Sequence, residues 1–399
     1  MNNRRNFLKQ VSLLSVTAVA ANATTPLLAK DFGNSSQKLG FAVFPYLQHL
    51  TPTSVYVMFI TNSAAYSWIE YESKGVDKQI AYMEEDGLHA AYIKLNKIQI
   101  VNLQPGKTYR YRACSKAITL FDPYKLAYGE EIQTEWYSFS TPATNASQVS
   151  CVILNDVHDS PTAFESLLSL VDNRPYEFVM LNGDTFDYQT DEQQIIDHLL
   201  APCTQLFAGQ KPFIMVRGNH ETRGKFRREF KNYFAFPDDR CHFSYKQGPI
   251  FWVVLDTGED KPDDHPVYGG IVDFDAVRER QGKWLSAIVN TDEYKEAAYR
   301  VVIMHIPPFH SGEWHGPMHC REVFDPIFRA NKVDLVISGH THRHGVHPPD
   351  ADHPYPVVIG GGSKDGSRTV IHLEANETRL HLEMLLDDGK KVGEYTLTV

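Results

Sequence analysis

Five short apolar runs in this sequence each end in residues that can bind a metal ion or move a proton. The run 151–154 leads into Asn155-Asp156-Val157-His158, and 178–181 leads into Asn182-Gly183-Asp184. The run 213–216 leads into Arg217-Gly218-Asn219-His220-Glu221, 301–304 into His305, and 333–338 into Gly339-His340-Thr341-His342. Carboxylates, amide oxygens and neutral imidazoles are the side chains that hold divalent cations without thiolate. Asp156, His158, Asp184, Asn219, His305, His340 and His342 supply three oxygen side chains and four imidazoles. One catalytic zinc takes three or four protein ligands, so this set points to two ions, with a bridging carboxylate and water on the remaining positions. A strand ending in surface histidines would explain any single piece; the signal lies in all five together.

Such donors converge only if the elements before them end at one place. The five runs are rich in β-branched residues and read as buried strands. Ser160-Pro161 predicts a helix start with an N-cap serine and a proline at the first turn, followed by an apolar face of Phe164, Leu167, Leu168 and Val171. Further helices are expected at 195–200, 225–234, 281–289 and 321–330. Strands alternating with amphipathic helices predict an α/β core, whose site lies at the carboxyl ends of its strands, where all five donor sets fall. A β-rich tail is expected from 356 to 399. Ahead of the core, 39–142 reads as β-rich, with strands at 54–60, 67–72 and 90–95. There the Pro105-Gly106 turn feeds a strand with Tyr109 and Tyr111 on one face and Arg110 and Arg112 on the other. Short strands over about a hundred residues predict an immunoglobulin-like sandwich, a rigid module packed on the next domain.

The net charge of −10, without a dense Lys/Arg block, disfavours nucleic acid as a partner. It leaves room for a small phosphorylated substrate, because bound cations reverse the local field. Eighteen histidines, more than half of them beyond Asn290, reinforce the metal reading. Five scattered cysteines without Cys-x-x-Cys spacing predict buried thiols, with a single bridge left open. At the N-terminus, Arg4-Arg5, an apolar stretch over 11–20 and small residues at 21–23 predict a removable export signal, with no stable membrane span in the mature chain.

The order Asp-x-His, Gly-Asp, Gly-Asn-His-Glu, His, Gly-His-x-His resembles the calcineurin-like metallophosphoesterase superfamily over about 150–345. A β-sandwich in front of it resembles the purple acid phosphatase arrangement, and Leu103, Pro105-Gly106 and the tyrosines resemble fibronectin type III domains. The first residues resemble a twin-arginine signal. The resemblance implies a signal at 1–30, a fibronectin type III-like sandwich at 39–142 and a phosphoesterase domain at 149–399, in a protein that is periplasmic or extracellular. It implies Asp156, His158 and His342 on one ion, Asn219, His305 and His340 on the other, and Asp184 between them. The ions would be Fe, Zn or Mn. Purple acid phosphatases carry a tyrosine three residues after the bridging aspartate; here Asp187 stands there and Tyr188 follows, which predicts no purple colour.

Two ions would supply a hydroxide near neutral pH for in-line attack on phosphorus. By resemblance, His220 would serve the transition state or leaving group and contact substrate; the Asn219 amide would meet the phosphoryl oxygens, and His310, in the loop after His305, is the candidate for a substrate wall. The function expected is hydrolysis of phosphate monoesters. A phosphodiesterase or nucleotidase on the same centre is the alternative enzyme. A surface-binding protein with a vestigial metal site is the alternative of another class.

Overall fold

Alternation within the core strands decides which layer each side chain serves. In Ile250–Leu255, Trp252 and Val254 join one buried cluster while Phe251, Val253 and Leu255 join another. Tyr299–Met304 divides the same way, with Val301 and Ile303 on one side and Val302 and Met304 on the other. Successive strand side chains point to opposite faces, so these runs are apolar throughout because both faces are covered. The first set shares a core with Val152, Met180 and Val370 of a second sheet. The other set packs with Leu285 of helix Phe274–Ile288 and with Phe324 and Phe328 of helix His315–Ala330.

The computed structural model describes residues 38–399, and the expected export signal lies outside them. Two six-stranded sheets form the core. One runs in the order Phe213–Val216, Phe178–Asn182, Gln148–Leu154, Thr369–Asn376, Arg379–Leu386, Lys391–Thr398. Its first three strands are parallel and the C-terminal three join antiparallel. The other runs Phe243–Gln247, Ile250–Leu255, Tyr299–Met304, Leu335–Ser338, Val357–Ile359, Gly345–His347, with its four inner strands parallel. Three donor-bearing strands therefore sit in one sheet and two in the other.

The N-terminal region is a β-sandwich in which the strands expected at 54–60 and 67–72 are one strand, Val55–Ser73. Its first half pairs with Phe41–Gln48 and its second half with Thr108–Asp122, and the register shifts near Ala65. The polar residues between the two apolar stretches therefore mark a change of partner within one strand. This region is fastened to the core by buried hydrogen bonds. Tyr46 Oη donates to the Tyr233 carbonyl (2.9 Å), Gln48 Nε2 to the Phe213 carbonyl (2.9 Å) and Tyr111 Oη to the Gly209 carbonyl (2.7 Å).

Two local expectations differ. The helix expected at 225–234 is a series of turns ending in the short 3-10 helix Phe230–Tyr233. The chain is folded back here: Phe226 N donates to the Gln189 carbonyl and Arg227 reaches the carbonyls of Thr222 and Ile271. Ser160 does not cap its helix by side chain; Pro161 holds the cap position of Thr162–Ser169, and Ser160 Oγ accepts from Arg368.

All five cysteines are buried and unpaired, which closes the question of a bridge. Burial pushes the thiols of Cys241 and Cys320 up to about 11 and Cys114 to about 12. The thiolate is the reactive form. A thiol dye at pH 8 should therefore find almost nothing in the native protein and all five thiols after unfolding; fewer after unfolding would reveal a bridge.

Candidate metal centre

Five of the seven donors leave their strands in the left-handed backbone region. Their φ angles are 52° for Asp156, 47° for His158, 53° for Asp184, 71° for His340 and 55° for His342. Non-glycine residues adopt this region rarely, and such strain is stable only where surrounding contacts impose it. Here the loops hold one another. Asp156 N donates to the Gly183 carbonyl (3.0 Å), His158 N to the Asp184 carbonyl (3.0 Å) and Gly339 N to the His305 carbonyl (2.9 Å). Gly183, at φ 79°, is where a side chain would not fit, since a Cβ there would overlap the His305 ring and the Gly218 backbone. Five strand ends from two sheets are thereby drawn over one another.

The donors form overlapping groups whose ligand atoms lie within 4.8 Å of one another: Asp156 with His158 and His342, Asp184 with His305 and His340, and Asp184 again with His158 and His220. His158 Nε2 is 3.1 Å from His342 Nε2, which is 3.3 Å from Asp156 Oδ1. Asp184 Oδ2 lies 2.9 Å from His305 Nε2 and 3.9 Å from His158 Nε2, between the two groups. Asn219 Oδ1 is 3.0 Å from His340 Nδ1. Asp156, Asp184, Asn219 and His305 are buried, His158 and His340 partly so, and His342 is exposed.

The outer shell fixes the rings. His305 Nδ1 donates to the Asn182 carbonyl (2.8 Å) and His158 Nδ1 to Asp187 Oδ1 (2.8 Å), so in the neutral rings the lone pairs are on Nε2. His305 Nε2 is buried without an aligned hydrogen-bond partner although Asp184 Oδ2 is at ion-pair distance. A metal ion would occupy that unpartnered nitrogen in place of a proton. Charge agrees. Burial opposes ionisation of Asp156 and Asp184, yet the imidazoles around them hold both below the usual carboxylate range, Asp184 at about 2. Burial alone would lower His305, but the fields of Asp184 and Asp156 raise it to about 10. Two buried carboxylates thus demand positive charge at one spot, and thiolates are absent from the donor set, so the residues fit a pair of cations with oxygen and nitrogen ligands.

The remaining expected residues fall in different places. His220 lies beside the centre; its Nδ1 donates to the Asp187 carbonyl (2.7 Å) and its Nε2 accepts from Arg223 Nη1 (2.9 Å). Asp187, standing where a tyrosine was expected by resemblance, supports His158, while Tyr188 is 55% exposed. His310 stands in another cluster, stacked on His347 with ring centroids 3.7 Å apart and bonded to His353. Arg217 and Arg223 are paired with carboxylates, Asp256 and Glu259 respectively. Two supporting residues were not assigned a task by sequence reasoning. Glu221, fully buried, accepts from the backbone N–H groups of Asp184, Thr185 and Gly218. Asn155 Nδ2 joins Asp156 Oδ2 (2.6 Å) to the Gly361 carbonyl (2.8 Å). The signal for the latter was present in Gly360-Gly361-Gly362, three glycines placing backbone against the site.

Residues 150–344 match the Calcineurin-like phosphoesterase family. The chain is similar to Purple acid phosphatase 22 of Arabidopsis thaliana, 25% identical over 296 residues that cover 68% of this chain and 60% of the relative. It is also similar to Probable purple acid phosphatase 20 of Arabidopsis thaliana, 23% identical over 312 residues, covering 75% of this chain and 68% of the relative. It thus spans about 60% of the length of the first of these curated relatives. Among solved structures, its fold is like that of purple acid phosphatase PPD1 from yellow lupin (Lupinus luteus) seeds, with a TM-score of 0.67 and 15% identity over 89% of this chain and 74% of that one. PhoD is also alike in fold, with a TM-score of 0.59 and 12% identity over 90% of this chain and 89% of that one. The chain is thus similar in sequence to purple acid phosphatases, and its residues 150–344 match the Calcineurin-like phosphoesterase family.

Proposed function

We propose that the protein is a metal-dependent phosphoric ester hydrolase that cleaves phosphate monoesters. The observation that carries this reading is the position of Asp184, whose Oδ2 faces His305 on one side and His158 on the other. Asp156, His158 and His342 would hold one ion, Asn219, His305 and His340 the second, and Asp184 both. The ions, of iron, zinc or manganese, would supply a water of lowered pKa and neutralise phosphoryl charge. The chain's own residues do the rest. The Asn219 amide presents a donor to a phosphoryl oxygen. Burial holds His220 below the usual imidazole range, and Arg223 occupies its Nε2. For His220 to hand a proton to the leaving oxygen, help worth roughly 10²–10⁴-fold, Arg223 must first yield Nε2 and the ring must take up a proton there from solvent. The guanidinium Nη1 is then free to meet a phosphoryl oxygen.

The decisive experiment strips metal with a chelator, restores it, and compares p-nitrophenyl phosphate with bis-p-nitrophenyl phosphate. The expected result is metal-dependent phosphate release that is faster on the monoester. Faster cleavage of the diester would favour the phosphodiesterase reading, and no release with two ions bound would favour the surface-binding one. The same preparation tests the tyrosine position. Loaded with iron, the protein should lack the visible band of a coordinated phenolate; a band abolished by Tyr188→Phe would place that side chain on the metal. The Arg4-Arg5 stretch and the apolar 11–20 support export by the twin-arginine route, and lysines at both arginines should retain the chain inside the cell.

A further inference from the structure

We propose that His310, Asp350 and His353 form a second, mononuclear site for a zinc-class divalent cation, apart from the seven donors described above. His353 is fully buried. Its Nδ1 donates to the Tyr355 carbonyl (2.7 Å), which in the neutral ring leaves the lone pair on Nε2. That Nε2 stands 2.8 Å from His310 Nε2 and 3.4 Å from Asp350 Oδ2. Asp350 is oriented too: its Oδ1 accepts from the backbone N–H groups of Asp352 (2.8 Å) and His353 (2.9 Å), and the second oxygen is left toward the imidazoles. The three ligand atoms lie within 4.8 Å of one another.

The spacing suits a small cation. Tetrahedral zinc with bonds of about 2.0–2.1 Å sets its ligand atoms roughly 3.3 Å apart. The separations of His353 Nε2 from His310 and from Asp350 bracket that value. His310 is held for the task by a left-handed backbone (φ 62°) and by stacking on His347 at an interplanar angle of 8°. On binding, its ring proton moves from Nε2 to Nδ1. A cavity of about 380 Å³ opens beside the three residues and gives water access to the remaining position. The arginines on its wall are already engaged: Arg321 donates to the Pro308 carbonyl and Arg329 to Asp325.

A second histidine–aspartate cluster outside the centre behaves differently. His315 and His319 both approach Asp275, but the buried Arg278 donates to the same carboxylate at 2.6 Å. A guanidinium already supplies the positive charge there, and that cluster is a clamp between two helices. Among the described residues, no lysine or arginine side chain bonds to Asp350. An ion at His310, Asp350 and His353 would tie the loop that follows His305 to the segment entering strand Val357–Ile359.

The test is the zinc content of the full chain after equilibrium dialysis against buffered zinc, measured for wild type, His310→Ala and Asp350→Asn. Both changes are at exposed residues, and circular dichroism checks each fold. The expected result is one zinc per chain fewer in each variant than in wild type. Equal zinc content in all three proteins would overturn the proposal, whatever the phosphoesterase assays show, because the seven donors of the main centre are intact in each. As a second readout, zinc should raise the melting temperature of Asp184→Asn protein, and the added change His310→Ala should diminish that rise; an undiminished rise counts against the site.

Discussion

Asparagine in place of Asp184 should lower kcat/KM for a phosphate monoester by on the order of 10³-fold or more, equivalent to about 4 kcal/mol of transition-state stabilisation. The substitution keeps the shape of the side chain, and asparagine tolerates the left-handed backbone at this position better than most residues. It also keeps the oxygen that accepts from His220 N at 2.9 Å. What it removes is the negative charge set between His305 and His158. Steady-state kinetics, with metal content measured on the same sample, check the result. Metal binding should weaken along with turnover. An unchanged kcat/KM would move the chemistry away from Asp184.

The second large effect is structural. Alanine at Glu221 destabilises the fold by about 3 kcal/mol or more, because three buried backbone N–H groups lose their acceptor at roughly 1–3 kcal/mol each. Relief of the repulsion from Asp184 offsets part of this: burial first, and then that neighbouring charge, raise the Glu221 carboxyl to about 7. Glutamine retains one accepting oxygen and should lose less. Urea denaturation of the two variants separates the cases. A loss below about 1 kcal/mol in the alanine protein, the worth of a single ordinary hydrogen bond, would mean that the loop is held by other contacts.

The donors were legible because each lies within a few residues of an apolar run, and strand, stop and ligand are then local facts of the sequence. Their division between two sheets was not. Fully apolar runs conceal which face meets which layer, and the pairing of Gln148–Leu154 with Thr369–Asn376 joins residues more than 200 positions apart. The tail was readable as β, but its membership of the first donor sheet was not. The helix expected at 225–234 failed because bonds from Phe226 N to the Gln189 carbonyl and from Arg227 to the Ile271 carbonyl outweigh local pattern there. Glu221 could be placed near the centre as the neighbour of His220, while its task required knowing that Asp184, Thr185 and Gly218 converge on it. His310 and His353, 43 residues apart, belong to no short motif.

The left-handed turns at the strand ends bear on how such a chain drifts. Each of the five strained donors costs on the order of 1 kcal/mol in backbone energy, a sum comparable to much of the net stability of an ordinary domain. Glycine, or in many cases asparagine, would relieve that strain at Asp156, His158, Asp184, His340 and His342. In a lineage with no use for the centre, these would be the positions where substitution is rewarded soonest, so decay would begin at the ligands and spread outward. All five carry the strained residue, together with the outer hydrogen bonds that keep them so. A relic would have lost its ligands first and kept its scaffold.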